Sequence, residues 1–263
     1  MIDKLSLRDL TLKGKKVLMR VDFNVPQDET LAITDDTRIR AALPSIQHVL
    51  EHGGALILMS HLGRPKGSSS EKYSLKPVAE RLSELIGRPV NMASDTIGSH
   101  AQELICNIKA GDIILLENVR FHRAEEKPDE DPSFAETLAA FGDVYVNDAF
   151  GTAHRAHSST CAIARFFPGA SASGFLLEKE IEFLGKTMKT PQKPFYAIIG
   201  GAKVSTKLGI IEALLEKVDG LIIGGGMSYT FFKAQGIEIG DSICEDDFLD
   251  VAKKIMTKCE ERN

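Results

Sequence analysis

The 263-residue sequence has no excess of basic residues, no CxxC pair and no apolar run long enough to cross a bilayer. Its formal net charge is −5. That is the wrong sign for a broad nucleic-acid-binding face, though it leaves room for a local basic pocket that takes a small anion. The four cysteines, Cys106, Cys161, Cys244 and Cys259, lie far apart. Zinc and disulfide frameworks are therefore disfavoured, a reducing cytoplasm fits, and each cysteine is expected to be a small buried hydrophobe. The first ten residues contain no signal-peptide core, and the apolar runs at 55–59 and 113–116 are far too short for a membrane span. Also absent are the GxxxxGK[ST] phosphate loop and the GxGxxG fingerprint of a dinucleotide-binding dehydrogenase. No repeat recurs at solenoid spacing.

The sequence does contain short apolar runs separated by amphipathic stretches. Residues 17–21, 55–59, 112–116 and 144–146 read as strands buried on both faces. Between the first two, Ile39, Leu43, Ile46 and Leu50 fall at helical spacing, and Gly53 closes the pattern. Pro44 suits only a first turn, so the regular helix is expected to start near it. Ser74 is placed to cap a helix carrying Val78, Leu82 and Leu85, with Gly87 and Pro89 as its stop. This alternation predicts a mostly parallel α/β sheet. Residues 177–188 suit a connecting helix, and 190–194, with two prolines, a joint. A second α/β unit follows: a strand at 195–199, a helix through Leu208, Ile211, Leu215 and Val218, a strand at 220–223, and a last helix through Phe248, Ala252, Ile255 and Cys259. With two evident strands, this unit is expected to be incomplete.

Polar clusters follow the strands. Asp22-Phe23-Asn24 follows the first, Ser60-His61-Leu62-Gly63-Arg64 the second, Glu117-Asn118-Val119-Arg120 the third, and Asn147-Asp148, leading to His154-Arg155, the fourth. Ligands of open α/β sheets bind outside the carboxyl ends of the strands, so these clusters should converge on one crevice. Arg64, Arg120, Arg155 and His61 match a phosphate or carboxylate, which guanidinium groups bind in forked geometry. Taken singly, each has a plainer reading: Asp22 and Asn24 as turn formers before Pro26, His61 as a core histidine, the arginines as surface charges. Arg38 opens a helix pattern, where a cation opposes the helix dipole, a local conflict that hints at another use.

In the second unit, Gly200-Gly201-Ala202-Lys203-Val204-Ser205-Thr206-Lys207 joins strand to helix. Glycines allow close backbone approach, helix N-termini favour phosphate, and Lys203 and Lys207, four apart, are placed to face one ligand. Gly224-Gly225-Gly226 follows the next strand.

Six segments also resemble, in order, the signatures of the phosphoglycerate kinase family. They are Arg20-Val21-Asp22-Phe23-Asn24-Val25-Pro26, Asp36-Thr37-Arg38-Ile39-Arg40, Ser60-His61-Leu62-Gly63-Arg64-Pro65, Glu117-Asn118-Val119-Arg120-Phe121, residues 147–157 from Asn147 to His157, and Gly200-Gly201-Ala202-Lys203-Val204. The resemblance implies two Rossmann-like parallel-sheet domains facing a cleft, the second incomplete in this sequence. Residues 1–176 would form the substrate domain, 177–193 the connecting helix and hinge, and 194–263 part of the nucleotide-binding domain.

It further implies reversible phosphoryl transfer between 1,3-bisphosphoglycerate and ADP, giving 3-phosphoglycerate and ATP. The cofactor would be Mg2+ carried by ADP or ATP, with no protein metal site. Asp22 and Asn24 would hold the hydroxyacid, and His61, Arg64, Arg120 and Arg155 its distant phosphate. Arg38 would lie at the carboxyl end beside the transferring group, and Lys203 would neutralise that group from the other domain. Lys207 would contact the nucleotide phosphates, with Gly201, Gly224 and Gly225 against the nucleotide. A cytoplasmic protein is implied, monomeric when complete, with no nucleic-acid or membrane partner. Family members continue well beyond this length, with a later glutamate for the ribose and a Gly-Gly-Asp-Ser/Thr segment at the phosphates. The sequence is therefore expected to stop within the nucleotide half. A second reading is a non-catalytic fragment that binds 3-phosphoglycerate or a partner chain.

Overall fold

A computed structural model describes residues 5–262, the side chain of Lys186 excepted. The chain divides into two compact units, Met1–Glu182 and Phe183–Asn263. The first contains β1 (Lys16–Arg20), α1 (Thr37–Glu51), β2 (Ala55–Met59), α2 (Lys76–Ile86), β3 (Asn91–Met92), α3 (Ser99–Asn107), β4 (Ile113–Leu115), α4 (Ser133–Ala139), β5 (Val144–Asn147), β6 (Ser171–Ser173) and the start of α5 (Phe175–Lys189). The division between units falls inside α5.

The six strands form one sheet in the order β3-β4-β2-β1-β5-β6, every neighbouring pair parallel. Alternation along the strands feeds two cores. Val17, Met19, Leu56 and Leu58 pack with Ile39, Ile46, Val78 and Leu82 from α1 and α2. Leu18, Ile57, Ile114 and Tyr145 pack with Ala101, Ile105, Phe134 and Leu138 from α3 and α4. Both faces are covered, which is why the central strands are uninterrupted apolar runs.

Several details differ from the sequence expectation. Helix α1 starts at Thr37 and runs through Pro44. The proline removes one backbone hydrogen bond, and the helix persists because Ile39, Ala42, Ile46 and Val49 bury a stripe against the sheet. Leu43 and Leu50 lie beside that stripe, half-buried. Ser74 sits one residue before the N-cap position of α2, which is Leu75. Its hydroxyl accepts from Lys76 N–H at 3.2 Å and donates to Glu117 at 2.7 Å, while the same carboxylate accepts from Leu75 N–H at 2.9 Å. The start of α2 is thus held by the loop after β4. The cysteines are not buried: Cys106, Cys161 and Cys259 are exposed, Cys244 is half-buried, and all are unpaired.

The second unit contains β7 (Tyr196–Gly200), α6 (Leu208–Leu215), β8 (Gly220–Gly224), α7 (Met227–Ala234) and α8 (Leu249–Glu261). β7 and β8 pair in parallel, Gly200 opposite Gly224. Ile199, Val204, Ile211, Leu215, Met227, Phe231, Ala252 and Ile255 form its core, whereas Tyr196, Ile198 and Ile222 are exposed. No helix among the described residues is long and apolar enough to cross a membrane.

Candidate functional site

In the first unit all strands are parallel, so the loops after β1, β2, β4 and β5 emerge at one edge of the sheet. β1 lies between β2 and β5, where the strand order reverses and a crevice opens in such sheets.

The floor of this edge is built from buried cationic and imidazole groups. Arg20, the last residue of β1, is 1% exposed. Its Nε donates to Ser159 Oγ at 2.8 Å, one terminal nitrogen donates to the Val21 carbonyl, and the other meets His61 Nδ1 at 3.1 Å. A guanidinium has no acceptor, so His61 Nδ1 accepts and the ring proton resides on Nε2. His61 is buried, and burial together with the charges of Arg20, Arg120, Arg38 and His157 holds its pKa down to about 2. It is therefore a neutral donor at ordinary pH rather than a third cation.

Arg120 is also buried. One terminal nitrogen donates to the Gly63 carbonyl at 2.9 Å, and its Nε lies 3.2 Å from Glu126 without hydrogen-bond geometry. Burial lowers its pKa, as do the fields of Arg20 and Arg155. His157 is buried as well, and burial followed by Arg120 pushes its pKa down to about 4. Arg155 is exposed and acts on both Arg120 and His157. At the rim, Arg38 is half exposed and pairs with Asp22 at 2.6 Å, which resolves the conflict of a cation at the start of α1. Asp22 also accepts from Asn24 N–H at 3.3 Å, and Asn24 Oδ1 accepts from Gly63 N–H at 2.8 Å. The turn-forming roles of Asp22 and Asn24 are real, and they tie the loops after β1 and β2 together. Arg38 and Arg120 thus act on His61, and Arg155 acts on Arg120. Arg64 is exposed, and among the described residues its side chain has no ion pair.

Three polar residues of the same clusters are braces. Glu117 holds the start of α2. Asn118 donates to the Leu62 and Tyr73 carbonyls at 2.8 and 2.9 Å, and its Oδ1 accepts from Arg120 N–H at 3.1 Å. Asp148 Oδ1 accepts from Leu176 N–H at 2.9 Å and Leu177 N–H at 3.1 Å, fixing the start of α5. A Cβ at Gly174 would sit 2.3 Å from Asp148 Cγ, so only glycine leaves room for that cap. Sequence reasoning passed over Arg20, His157 and Glu125 as functional residues. The available signal was Arg20, a charge inside the run 17–21 that otherwise reads as a strand buried on both faces.

In the second unit, the carboxyl ends of β7 and β8 present Gly200-Gly201 and Gly224-Gly225-Gly226 side by side. Gly201 carbonyl accepts from Met227 N–H at 2.8 Å. Gly225 has φ +73°, and a Cβ there would lie 2.9 Å from the Gly201 carbonyl oxygen, so no side chain fits. A Cβ at Gly224 would meet nothing within 4 Å, leaving bare backbone open at the strand end. Lys203 is exposed and Lys207 half-buried beside Gly201. Helix α6 begins only at Leu208, so both lysines stand on the preceding turn, not on one helix face. Glycine backbone and two cations suit a nucleotide's phosphates and an aromatic base. No group of three or more His, Cys, Asp or Glu among the described residues is placed to hold a metal ion.

A family model described as phosphoglycerate kinase matches residues 7–263. A cytosolic phosphoglycerate kinase of Nicotiana tabacum is 56% identical over 253 residues, covering 96% of this chain and 62% of the relative. The phosphoglycerate kinase of Dictyoglomus turgidum is 55% identical, covering 98% of this chain and 64% of the relative. Among solved structures, phosphoglycerate kinase from Coxiella burnetii matches with TM-score 0.84 at 40% identity, over 99% of this chain and 64% of that one. That from Pyrococcus horikoshii matches with TM-score 0.83 at 33% identity, over 98% and 66%. The chain thus spans a little under two thirds of the length of the curated relatives it matches.

Proposed function

The chain belongs to the phosphoglycerate kinase family, and on that premise we propose that it serves reversible phosphoryl transfer between 1,3-bisphosphoglycerate and ADP, yielding 3-phosphoglycerate and ATP in the cytoplasm. The observation that carries this reading is that Arg38 and Arg120 act on the neutral His61, and Arg155 on Arg120, at the sheet edge where the strand order reverses. A small, doubly anionic acid suits such a group: one end meets fixed guanidinium forks and the other the Asp22–Arg38 rim.

Residues 1–176 serve as the substrate domain, 177–193 as connecting helix and hinge, and 194–263 as the nucleotide-binding segment. Asp22 and Asn24 orient the hydroxyacid. His61, Arg64, Arg120 and Arg155 hold the phosphate that does not react. Arg38 stands at the reacting end. On the nucleotide side, Lys207 with Gly201, Gly224 and Gly225 receives ADP or ATP, and Lys203 offsets charge on the transferring group. The O–P bond of the acyl phosphate breaks, a terminal ADP oxygen takes the phosphoryl group, and the bridging oxygen leaves on the carboxylate, already ionised, so no strong base is required. Catalysis by this chain's residues consists of alignment and charge compensation. Magnesium would arrive with the nucleotide beside Lys203 and Lys207 and would supply further charge compensation there. In the same reading the complete protein acts as a monomer.

The test is a coupled assay of the purified protein with 3-phosphoglycerate and Mg-ATP, reading 1,3-bisphosphoglycerate through a downstream dehydrogenase. Turnover that disappears in Lys203→Ala, with 3-phosphoglycerate affinity unchanged, supports the kinase reading. Binding without turnover favours a 3-phosphoglycerate-binding fragment. Failure to bind 3-phosphoglycerate refutes both.

A further inference from the structure

Beneath the cationic edge lies a carboxylate with no place in the proposed transfer. Glu125 is fully buried. Its Oε2 accepts from Ser159 N–H at 2.9 Å and its Oε1 from the Ser159 hydroxyl at 2.7 Å. The Ser159 hydroxyl in turn accepts from Arg20 Nε at 2.8 Å, and the Ser159 carbonyl accepts from the Tyr145 hydroxyl at 2.8 Å. Arg20 then reaches His61 Nδ1 at 3.1 Å.

The polarity of this chain is fixed from one end. Arg20 Nε has only a proton to give, so the Ser159 hydroxyl turns a lone pair to Arg20 and its proton to Glu125. Arg20 only donates, so His61 Nδ1 accepts and its proton sits on Nε2. Among the described residues no carboxylate lies within ion-pair distance of Arg20, so Glu125 offsets that buried charge at one remove. Burial raises the Glu125 pKa, while Arg20 and the two Ser159 hydrogen bonds pull it back.

We propose that Glu125 is a positioning residue of the anion site: through Ser159 it fixes the Arg20 guanidinium and the Nε2-protonated form of His61, without touching the ligand. The proposal rests on reading this edge as the 3-phosphoglycerate site.

Charge counting alone predicts the opposite of positioning. Removing a buried anion from under a cationic site should tighten anion binding, whereas loss of a positioning group should weaken it. Glu125→Gln separates the two, because its amide oxygen keeps the Ser159 N–H while its NH2 group meets the Ser159 hydroxyl, reversing the bond the carboxylate accepts and competing with Arg20 for that oxygen's lone pairs. By calorimetry, 3-phosphoglycerate should bind about ten-fold more weakly, the scale of one charge-assisted hydrogen bond. The 15N signals of His61 should also lose the wild-type tautomer pattern. Ser159→Ala should act in the same direction, and the double variant should be no worse than the poorer single one, as expected for residues in one network.

Unchanged or tighter binding by a folded Glu125→Gln protein overturns the proposal, as does a wild-type His61 pattern in both variants. If Glu125→Gln does not fold, Ser159→Ala carries both readouts. If the wild-type protein fails to bind 3-phosphoglycerate, the site reading falls, and the His61 15N pattern still decides the positioning role.

Discussion

The buried His61 makes the stability of the first unit depend on pH in a way that can be worked out. Its pKa moves from an ordinary 6.5 to about 2 on folding, chiefly through burial and then through Arg20 and Arg120. Between those values the unfolded chain binds a proton that the folded protein refuses. The unfolded state therefore holds more protons, and stability is present in full above the unfolded pKa and lost as pH falls. Each pH unit in that window is worth about 1.4 kcal/mol, so acidifying from about pH 7.5 to about pH 5 removes about 2 kcal/mol through this one side chain.

Other groups titrate in the same range. His157, held down to about 4, adds to the loss in the same direction. Glu125 and Asp148, whose carboxyls burial pushes up, act oppositely, because the folded protein keeps protons that the unfolded chain releases. The His61 share is isolated by comparing wild type with His61→Asn, which keeps an acceptor for Arg20 but does not titrate. Urea unfolding followed by circular dichroism should show wild type losing about 2 kcal/mol more than the variant between about pH 7.5 and about pH 5. Parallel curves would refute the neutral, buried His61 and the hydrogen-bond polarity drawn from it.

Arg38→Ala should lower turnover in the coupled assay by at least about 100-fold while leaving the urea midpoint unchanged, since the side chain is half exposed and placed at the reacting end. Near wild-type turnover would remove that role. Binding of 3-phosphoglycerate should weaken several-fold between about 0.05 and about 0.5 M salt, because Arg38 and Arg155 are exposed to screening; calorimetry independent of salt would count against the arginine group. Asp148→Ala should cost about 1–2 kcal/mol, having left the Leu176 and Leu177 N–H groups without their acceptor. An unmoved urea midpoint would show that α5 does not depend on this cap.

The central sheet was legible because β1, β2, β4 and β5 are buried on both faces, and burial of that kind writes itself as continuous apolar runs. The edges were not. β3 has two residues and β6 reads Ser-Ala-Ser, so their strand character comes from pairing with β4 and β5 rather than from side-chain pattern. Helix α7 escaped because it follows a triple glycine and its sequence, MSYTFFKA, has no clean apolar stripe. The start of α1 was misplaced because local propensity at Pro44 is overruled by packing of the buried stripe against the sheet. The rim residues of the site, and His61 and Arg120 of its floor, were visible by type and position. The rest of the floor was not, because a buried serine and glutamate carry no distinguishing spacing, and only the fold places residues 20, 125 and 159 in one hydrogen-bonded line.

That division between rim and floor has a physical logic. Arg64 and Arg155 are exposed, so in the free protein they are solvated and must be ordered by a ligand, at a cost in side-chain entropy, whereas the exposed Arg38 is held by Asp22. Arg20, Arg120 and His61 are already desolvated and aimed. Holding them there is unfavourable for folding, and the offset comes from the Ser159, Val21 and Gly63 acceptors and from the charge of Glu125. The unfavourable step is therefore taken once, on folding, instead of at each binding event, which is the condition for charge stabilisation without reorganisation during reaction. It follows that loosening the floor should weaken anion binding even where it adds positive charge, whereas changes at the rim should act on the reacting end through Arg38 and on the response to salt through Arg64 and Arg155.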